Sequence, residues 1–115
     1  MLPKINRLKK KKEFEKIFSK GKGFKEDFLF LKTAKNNLKT NRFGFVVSQK
    51  VSKKAVVRNK IKRRLRELIK LKLPQIKSGI DVLLVVNPGL ETKDFWEVEE
   101  IINRLFKKAG IIEKQ

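Results

Sequence analysis

The chain has no cysteine, no histidine and no tyrosine, a single tryptophan, three prolines and only 12 acidic residues in 115. Without cysteine there are neither disulfides nor thiolate metal ligands, so stability has to come from packing. Without histidine the commonest general base and zinc ligand is missing as well. The glycines form no phosphate-binding loop of the Walker kind. No apolar run approaches the roughly 18 to 20 residues of a transmembrane helix, and the basic start MLPKINRLKKKK lacks the apolar stretch of a signal peptide. The expected compartment is therefore the cytoplasm. The few acids read as turn residues (Glu26, Asp27) or as helix-dipole partners near the end of the chain, so no catalytic and no metal-binding residue is assigned.

What the chain has in abundance is positive charge. Its 31 Lys and Arg give a formal net charge of +19, a self-repulsion that a polyanion would relieve. At this length one domain is expected, spanning residues 1–115, and the 40% hydrophobic content with nine Phe supports a real if thin core. Residues 1–12 carry six positive charges and no acid and read as a basic arm, extended or loosely ordered. Residues 50–66 are denser still, with nine Lys or Arg in seventeen positions: Lys50, Lys53, Lys54, Arg58, Lys60, Lys62, Arg63, Arg64 and Arg66. Cations ranged along a helix follow phosphates, which makes nucleic acid the leading partner.

Hydrophobic spacing predicts the elements. Phe14, Ile17 and Phe18 mark one face of a short helix from Lys11 to Ser19, ended by Gly21 and Gly23. Residues 27–33, DFLFLKT, read as a strand, with Phe28 and Phe30 on one face and Leu29 and Leu31 on the other. Arg42 to Ser48 reads as a second strand, and its closeness to the first favours an antiparallel hairpin. Val57, Ile61, Leu65, Leu68 and Ile69 form the apolar stripe of a long helix from about Ala55 to Leu73, closed by Pro74. Residues 80–87, IDVLLVVN, are apolar throughout and suit a central strand. Thr92 or Asp94 then caps a last helix whose inward face is Val98, Ile101, Ile102, Leu105, Phe106 and Ala109. The fold class is α+β, helices layered on a small sheet.

Three groups could meet a ligand. Asn59, set between Arg58 and Lys60, is either an exposed helix residue or a hydrogen-bonding group for RNA. Phe14 and Phe18 are either core or platforms for unstacked bases beside a basic wall. The cations of 50–66 are either a solvated face or an RNA surface. A structural RNA-binding protein and a self-sufficient nuclease remain as rival readings. The first needs no apolar cleft and the second needs converged carboxylates.

Phe45-Val46-Val47-Ser48-Gln49-Lys50, followed by Ala55-Val56-Val57-Arg58-Asn59-Lys60-Ile61-Lys62-Arg63-Arg64-Leu65-Arg66-Glu67, closely resembles the signature of the bacterial ribonuclease P protein subunit. Asn6-Arg7-Leu8, Phe14, Phe18, Gly44 and Asp81 extend the similarity over nearly the whole chain. The resemblance implies an α/β sandwich of three helices and a small mixed sheet, with a left-handed βαβ crossover. It implies an accessory subunit, a monomer in a 1:1 ribonucleoprotein with ribonuclease P RNA, which promotes magnesium-dependent removal of the 5′ leader of precursor tRNA. The RNA performs the cleavage, and magnesium is held mainly by RNA and substrate. Arg58, Asn59, Lys60, Lys62, Arg63 and Arg66 would then face RNA, joined by Lys50, Lys53, Lys54 and Arg7. Phe14, Phe18, Leu29 and Leu31 would line the leader cleft, with Phe28 and Phe30 packed inward. Three positions depart from the family pattern: Lys60 replaces an Arg, Gln49 stands where a Lys is common, and Leu31 stands where an aromatic is often found.

Overall fold

A four-stranded sheet of order β1-β2-β4-β3 separates one helix on one face from two on the other, in a computed structural model that describes residues 2–112. Met1 and residues 113–115, the ends of the expected domain, lie outside the described residues. The elements are α1 (Lys11–Lys20), β1 (Lys22–Glu26), β2 (Leu29–Lys35), β3 (Arg42–Val47), α2 (Ala55–Lys72), β4 (Ile80–Val86) and α3 (Phe95–Ala109), with short 3₁₀ turns at Lys4–Asn6, Leu73–Gln75 and Leu90–Thr92.

The α+β sandwich of three helices and a mixed sheet is as expected, but the strand pairing is not. β2 and β3 do not form a hairpin. β4, the most apolar strand, lies between them, antiparallel to β2 and parallel to β3, and α2 makes the β3–β4 crossover. The hairpin partner of β2 is instead β1, a strand absent from the sequence reading. Its sequence KGFKE has one apolar residue and no alternation, and only pairing with β2 makes it a strand. Asp27 and Phe28 form the turn, with Phe28 at φ 58°. The half-buried ring of Phe28 packs over the backbone of Gly89 against the edge of the main core, so it turns inward as expected, but from a turn rather than from a strand.

The register assigns each strand residue to a face. Leu31 pairs with Phe24 and Leu84, and Leu84 with Phe45, so these share the face that meets α2 and α3. There Leu29, Leu31, Phe43, Val82, Leu84 and Val86 pack with Ile61, Leu65, Leu68 and Ile69 of α2 and with Val98, Ile101, Ile102, Leu105 and Phe106 of α3. These stripes are the ones read from the sequence, and their burial supplies the main hydrophobic stabilisation. Asp94 caps α3, its carboxylate accepting from the Glu97 N–H at 2.8 Å, and Gly110 ends it at φ 69°.

The opposite face carries only α1 and a small cluster of Leu8, Ile17 and Leu83. So small an apolar contact is reinforced by ions. Arg42 and Asp81 are register partners on β3 and β4, and the guanidinium donates two hydrogen bonds to the buried carboxylate, both at 2.8 Å. Its third bond goes to Glu13 of α1 at 2.6 Å. The same Glu13 carboxylate accepts the backbone N–H groups of Lys9 and Lys10, starting the helix. Asp81 also accepts from Asn36 Nδ2 at 2.9 Å, which holds the β2–β3 connection.

The basic arm is built into this frame rather than loosely extended. Leu2 is buried, Arg7 and Leu8 bridge the outer edge of β3 through the Leu8 N–H to Phe43 carbonyl bond, and Asn6 Nδ2 donates to Asn41. The arm thus covers a sheet edge that would otherwise be open.

Asp81→Ala leaves Arg42 part-buried without its main partner and is expected to cost about 3 kcal/mol in urea unfolding. An unchanged midpoint would remove the clamp from the account. Burial raises the pKa of Glu13, but the N–H donors of Lys10 and Lys9 and the Arg42 charge outweigh it, so the pKa lies below the ordinary glutamate value. Its contribution is present above the unfolded-state pKa and is lost as pH falls through the lower folded value. Glu13→Gln should therefore be less stable than the wild type at about pH 6, with the gap closing towards about pH 3. A gap that persists at the acid end would contradict the assignment.

Candidate nucleic-acid interface

The cations of α2 are not one stripe. Ile61, Leu65, Leu68 and Ile69 bury one side of the helix, which leaves charge on the two flanks and the outer surface. Asn59 and Arg63 are exposed and, with Arg66 and Glu67, line a shallow hollow on the outer surface. Lys62 and Arg66 are half-buried. Arg58 is half-buried too, and its guanidinium donates to the Ser52 carbonyl at 2.9 Å, so it also fixes the entry into the helix. Lys60 falls apart from these residues. With Arg64 it rims a separate hollow between α2 and α3, floored by Val57, Ile61, Leu65, Leu90 and Val98. The sequence motif is therefore divided between two surfaces.

Lys50, Lys53 and Lys54 are exposed in the turn before α2, whose first turn holds no acid. Cations at the positive end of a helix dipole are unfavourable by themselves and become favourable when an anion sits among them. Apart from Glu67 in the hollow of α2, the acids lie elsewhere. Glu99 pairs with Lys72, Glu100 with Arg104, and Glu26 with Arg104 and Lys108. Hydrogen bonds from Lys108 and then Arg104 hold the Glu26 carboxyl below the ordinary range. The α3 side is thus close to neutralised, and the uncompensated charge collects on α2, the turn before it and the arm.

Arg66 joins this charge to the other face of the sheet. Its guanidinium carbon lies 5.8 Å from the centroid of the Phe45 ring, and the residue shares a pocket with Arg7, Leu8, Phe14, Phe43, Gly44 and Phe45. Arg7 is oriented by its Nε, which donates to the Leu2 carbonyl at 2.8 Å. Phe14 reaches the pocket because β3 has no side chain at Gly44. A Cβ there would lie 2.6 Å from the ring.

Beyond α1 the sheet is open. Cross-strand pairing lines up Val46, Val85, Phe30 and Lys25 in one row on the α1 face, with the first three half-buried. The preceding row is Gly44, Leu83, Lys32 and Gly23. Phe14 meets that row at Gly44 and Phe18 meets it at Lys32, so the two rings of α1 stand over a groove floored by the open row. Phe18 is 48% exposed, free to meet a ligand, and Phe14 is half-buried.

Leu29 and Leu31 do not line this groove. Both are 0% exposed and belong to the core under α2 and α3. The alternation of β2 was right in period and wrong in phase, so the residues facing the groove are Phe30 and Lys32. The segment is apolar on both faces, which hides the phase, but the charged Lys32 in step with Phe30 marks the face that stays open.

Among the described residues no group of three or more acids, such as could hold a metal ion, converges. Glu13 and Asp81 are committed to Arg42, and Glu91 to the Gly89 N–H. Among the described residues no helix is long and apolar enough to cross a membrane.

Known proteins share both the sequence and this architecture. The family model for ribonuclease P matches residues 2–110. The ribonuclease P protein component of Dictyoglomus turgidum is 40% identical over 114 residues, covering 97% of this chain and 95% of that protein. That of Synechocystis sp. is 39% identical over 113 residues, covering 97% and 91%. The structure of a Staphylococcus aureus RNase P protein mutant with defective mRNA degradation activity superposes with a TM-score of 0.89 at 27% identity, covering 95% of this chain and 92% of that one. The Thermotoga maritima RNase P protein gives a TM-score of 0.81 at 32% identity, covering 89% and 96%. With a family match over almost its full length, relatives at this identity and the same sheet and helices, the chain belongs to the ribonuclease P protein component family.

Proposed function

We propose that this subunit binds ribonuclease P RNA through the outer surface of α2 and guides the 5′ leader of precursor tRNA into the groove between α1 and the sheet. The observation that carries this reading is the position of Arg66, which lies both on the outer surface of α2 and in the pocket that holds Phe14. One continuous surface then runs from a cationic helix to a pair of aromatic rings.

The two parts of that surface suit two kinds of RNA contact. Asn59, Lys62, Arg63 and Arg66, with Lys50, Lys53 and Lys54 before them, can neutralise phosphates of a folded RNA whatever its sequence. The rings of Phe14 and Phe18, with Phe30 in the floor, can stack on unpaired bases, which suits a single strand of variable sequence. Arg7 and Arg66 stand where the strand would pass from one part to the other. Lys60 and Arg64, on the far flank, would meet a different segment of RNA.

Hydrolysis of the phosphodiester falls to the RNA, whose bound magnesium supplies the Lewis acid and the activated water when present. This chain contributes position and charge. By neutralising phosphates it lowers the repulsion between catalytic RNA and substrate, and so lowers the magnesium concentration at which they associate. The working unit is one copy of this chain per RNA, in the cytoplasm.

Purified alone, the chain should not cleave precursor tRNA, and added to a bacterial ribonuclease P RNA it should restore cleavage at low magnesium. Cleavage without RNA would overturn the division of labour, and failure to stimulate the RNA would overturn the proposed role. Arg63→Ala should weaken the complex with ribonuclease P RNA and reduce the slope of log affinity against log salt by about 0.9, one phosphate contact. An unchanged slope would place Arg63 away from the RNA.

A further inference from the structure

We propose that Lys32 is a phosphate-binding residue of the groove, holding the backbone of a single strand whose base lies on Phe18. This inference rests on the leader reading above and adds to it a residue that neither the sequence motif nor the cationic helix contains.

Lys32 lies in the middle of β2, opposite Leu83 of β4 and Gly23 of β1, on the face that carries α1. It is half-buried, and its neighbours on that face, Ile17, Phe30 and Leu83, are apolar. A lysine in such a place needs a partner, and the two it has are a carbonyl and a ring. Its ammonium donates to the Phe18 carbonyl at 2.6 Å and lies 5.8 Å from the centroid of the Phe18 ring. Among the described residues no carboxylate lies within ion-pair distance of it, whereas Arg42, Lys72, Arg104 and Lys108 each hold one or more.

The consequence is a full positive charge kept on the wall of an aromatic groove. A carbonyl and a ring face orient an ammonium without neutralising it. Two of its three N–H donors remain for a ligand. The contact to the last turn of α1 also keeps the charge beside Phe18 instead of letting it extend into water. A base stacked on that ring brings its own phosphate to the same side of the groove, and the ammonium can reach it by rotation of its flexible stem. A neutral apolar ligand would gain nothing from this cation, and a duplex would not fit its bases to the ring. The combination selects single-stranded nucleic acid, by charge and stacking and without regard to base identity.

A purely structural role, closing the C-terminal end of α1, is the alternative that the test has to separate. The holoenzyme is reconstituted with wild-type protein, Lys32→Met, Lys32→Arg or Phe18→Ala. Affinity is then measured for precursor tRNA and for the same tRNA without its leader, over a range of salt. Lys32→Met should weaken binding of the leader-bearing substrate about 5- to 10-fold, lower its salt slope by about 0.7, and leave the leaderless tRNA unaffected. Lys32→Arg should retain most of the affinity. In the wild type, a single methylphosphonate linkage at one position of the leader should cause a similar loss, which Lys32→Met should not show at that linkage. If Lys32→Met weakens both substrates equally, or neither, the inference is overturned. In that event Phe18→Ala tells which reading fails: a selective loss with the leader-bearing substrate keeps the groove without Lys32, and no selective loss removes the leader reading as well.

Discussion

The salt bridge of Arg42 with Asp81 and Glu13 is the contact on which the geometry of the groove depends. One face of the sheet is held by two long amphipathic helices with a large shared core, whereas among the described residues the other has only α1 and a cluster of three buried apolar residues. A ten-residue helix on so small a cluster has little to fix its direction. Arg42 supplies that direction, joining the carboxylate that starts α1 to a buried carboxylate of the central strand. The guanidinium is charged in any case, and its hydrogen bonds to Asp81 raise an already high pKa. Because the clamp sits at the first turn of α1, Phe14 and Phe18 are placed over Gly44 and Lys32, and the row beyond them stays open.

An uneven distribution of charge gives this arrangement its use. Apart from the Arg42 clamp, most ion pairs among the described residues lie around α3, with Lys72 at the end of α2, Arg104 and Lys108, whereas the rest of α2 carries many cations and one acid, Glu67. A high net charge usually opposes compactness, and here the opposition is relieved by binding RNA. In the proposed role the protein presents two connected surfaces, one cationic for a folded RNA and one aromatic for a single strand, with Arg66 common to both.

Much of this was legible in the sequence, for physical reasons that differ by element. α2 and α3 have long apolar stripes at helical period, and β4 is apolar on both sides, so their type and burial follow from the spacing of apolar residues alone. β1 was not legible: Lys22, Gly23, Lys25 and Glu26 have no strand propensity, and Phe28 is a poor advertisement for a turn at positive φ. The neighbour of β2 was misread because chain proximity favours β3, whereas β4 gains more by lying in the centre. In the site, the α2 cations, Phe14 and Phe18 could be named from spacing. The groove floor could not, because Leu29 to Leu31 are apolar on both faces and only the register shows that Phe30 and Lys32 face α1. The division of Lys60 from Arg63 and Arg66, and the ordering of Arg7 against β3, likewise depend on contacts distant in sequence.

Whether the clamped α1 makes a groove for a single strand can be read by photocrosslinking in the reconstituted ribonucleoprotein. A precursor tRNA carrying 4-thiouridine in its leader is irradiated, and the crosslinked peptides are mapped by mass spectrometry. Attachment is expected at α1 around Phe14 and Phe18 and at β2 around Phe30 and Lys32, lost when the leader is removed. Attachment confined to α3, or to the far flank of α2 around Lys60 and Arg64, would contradict such a groove.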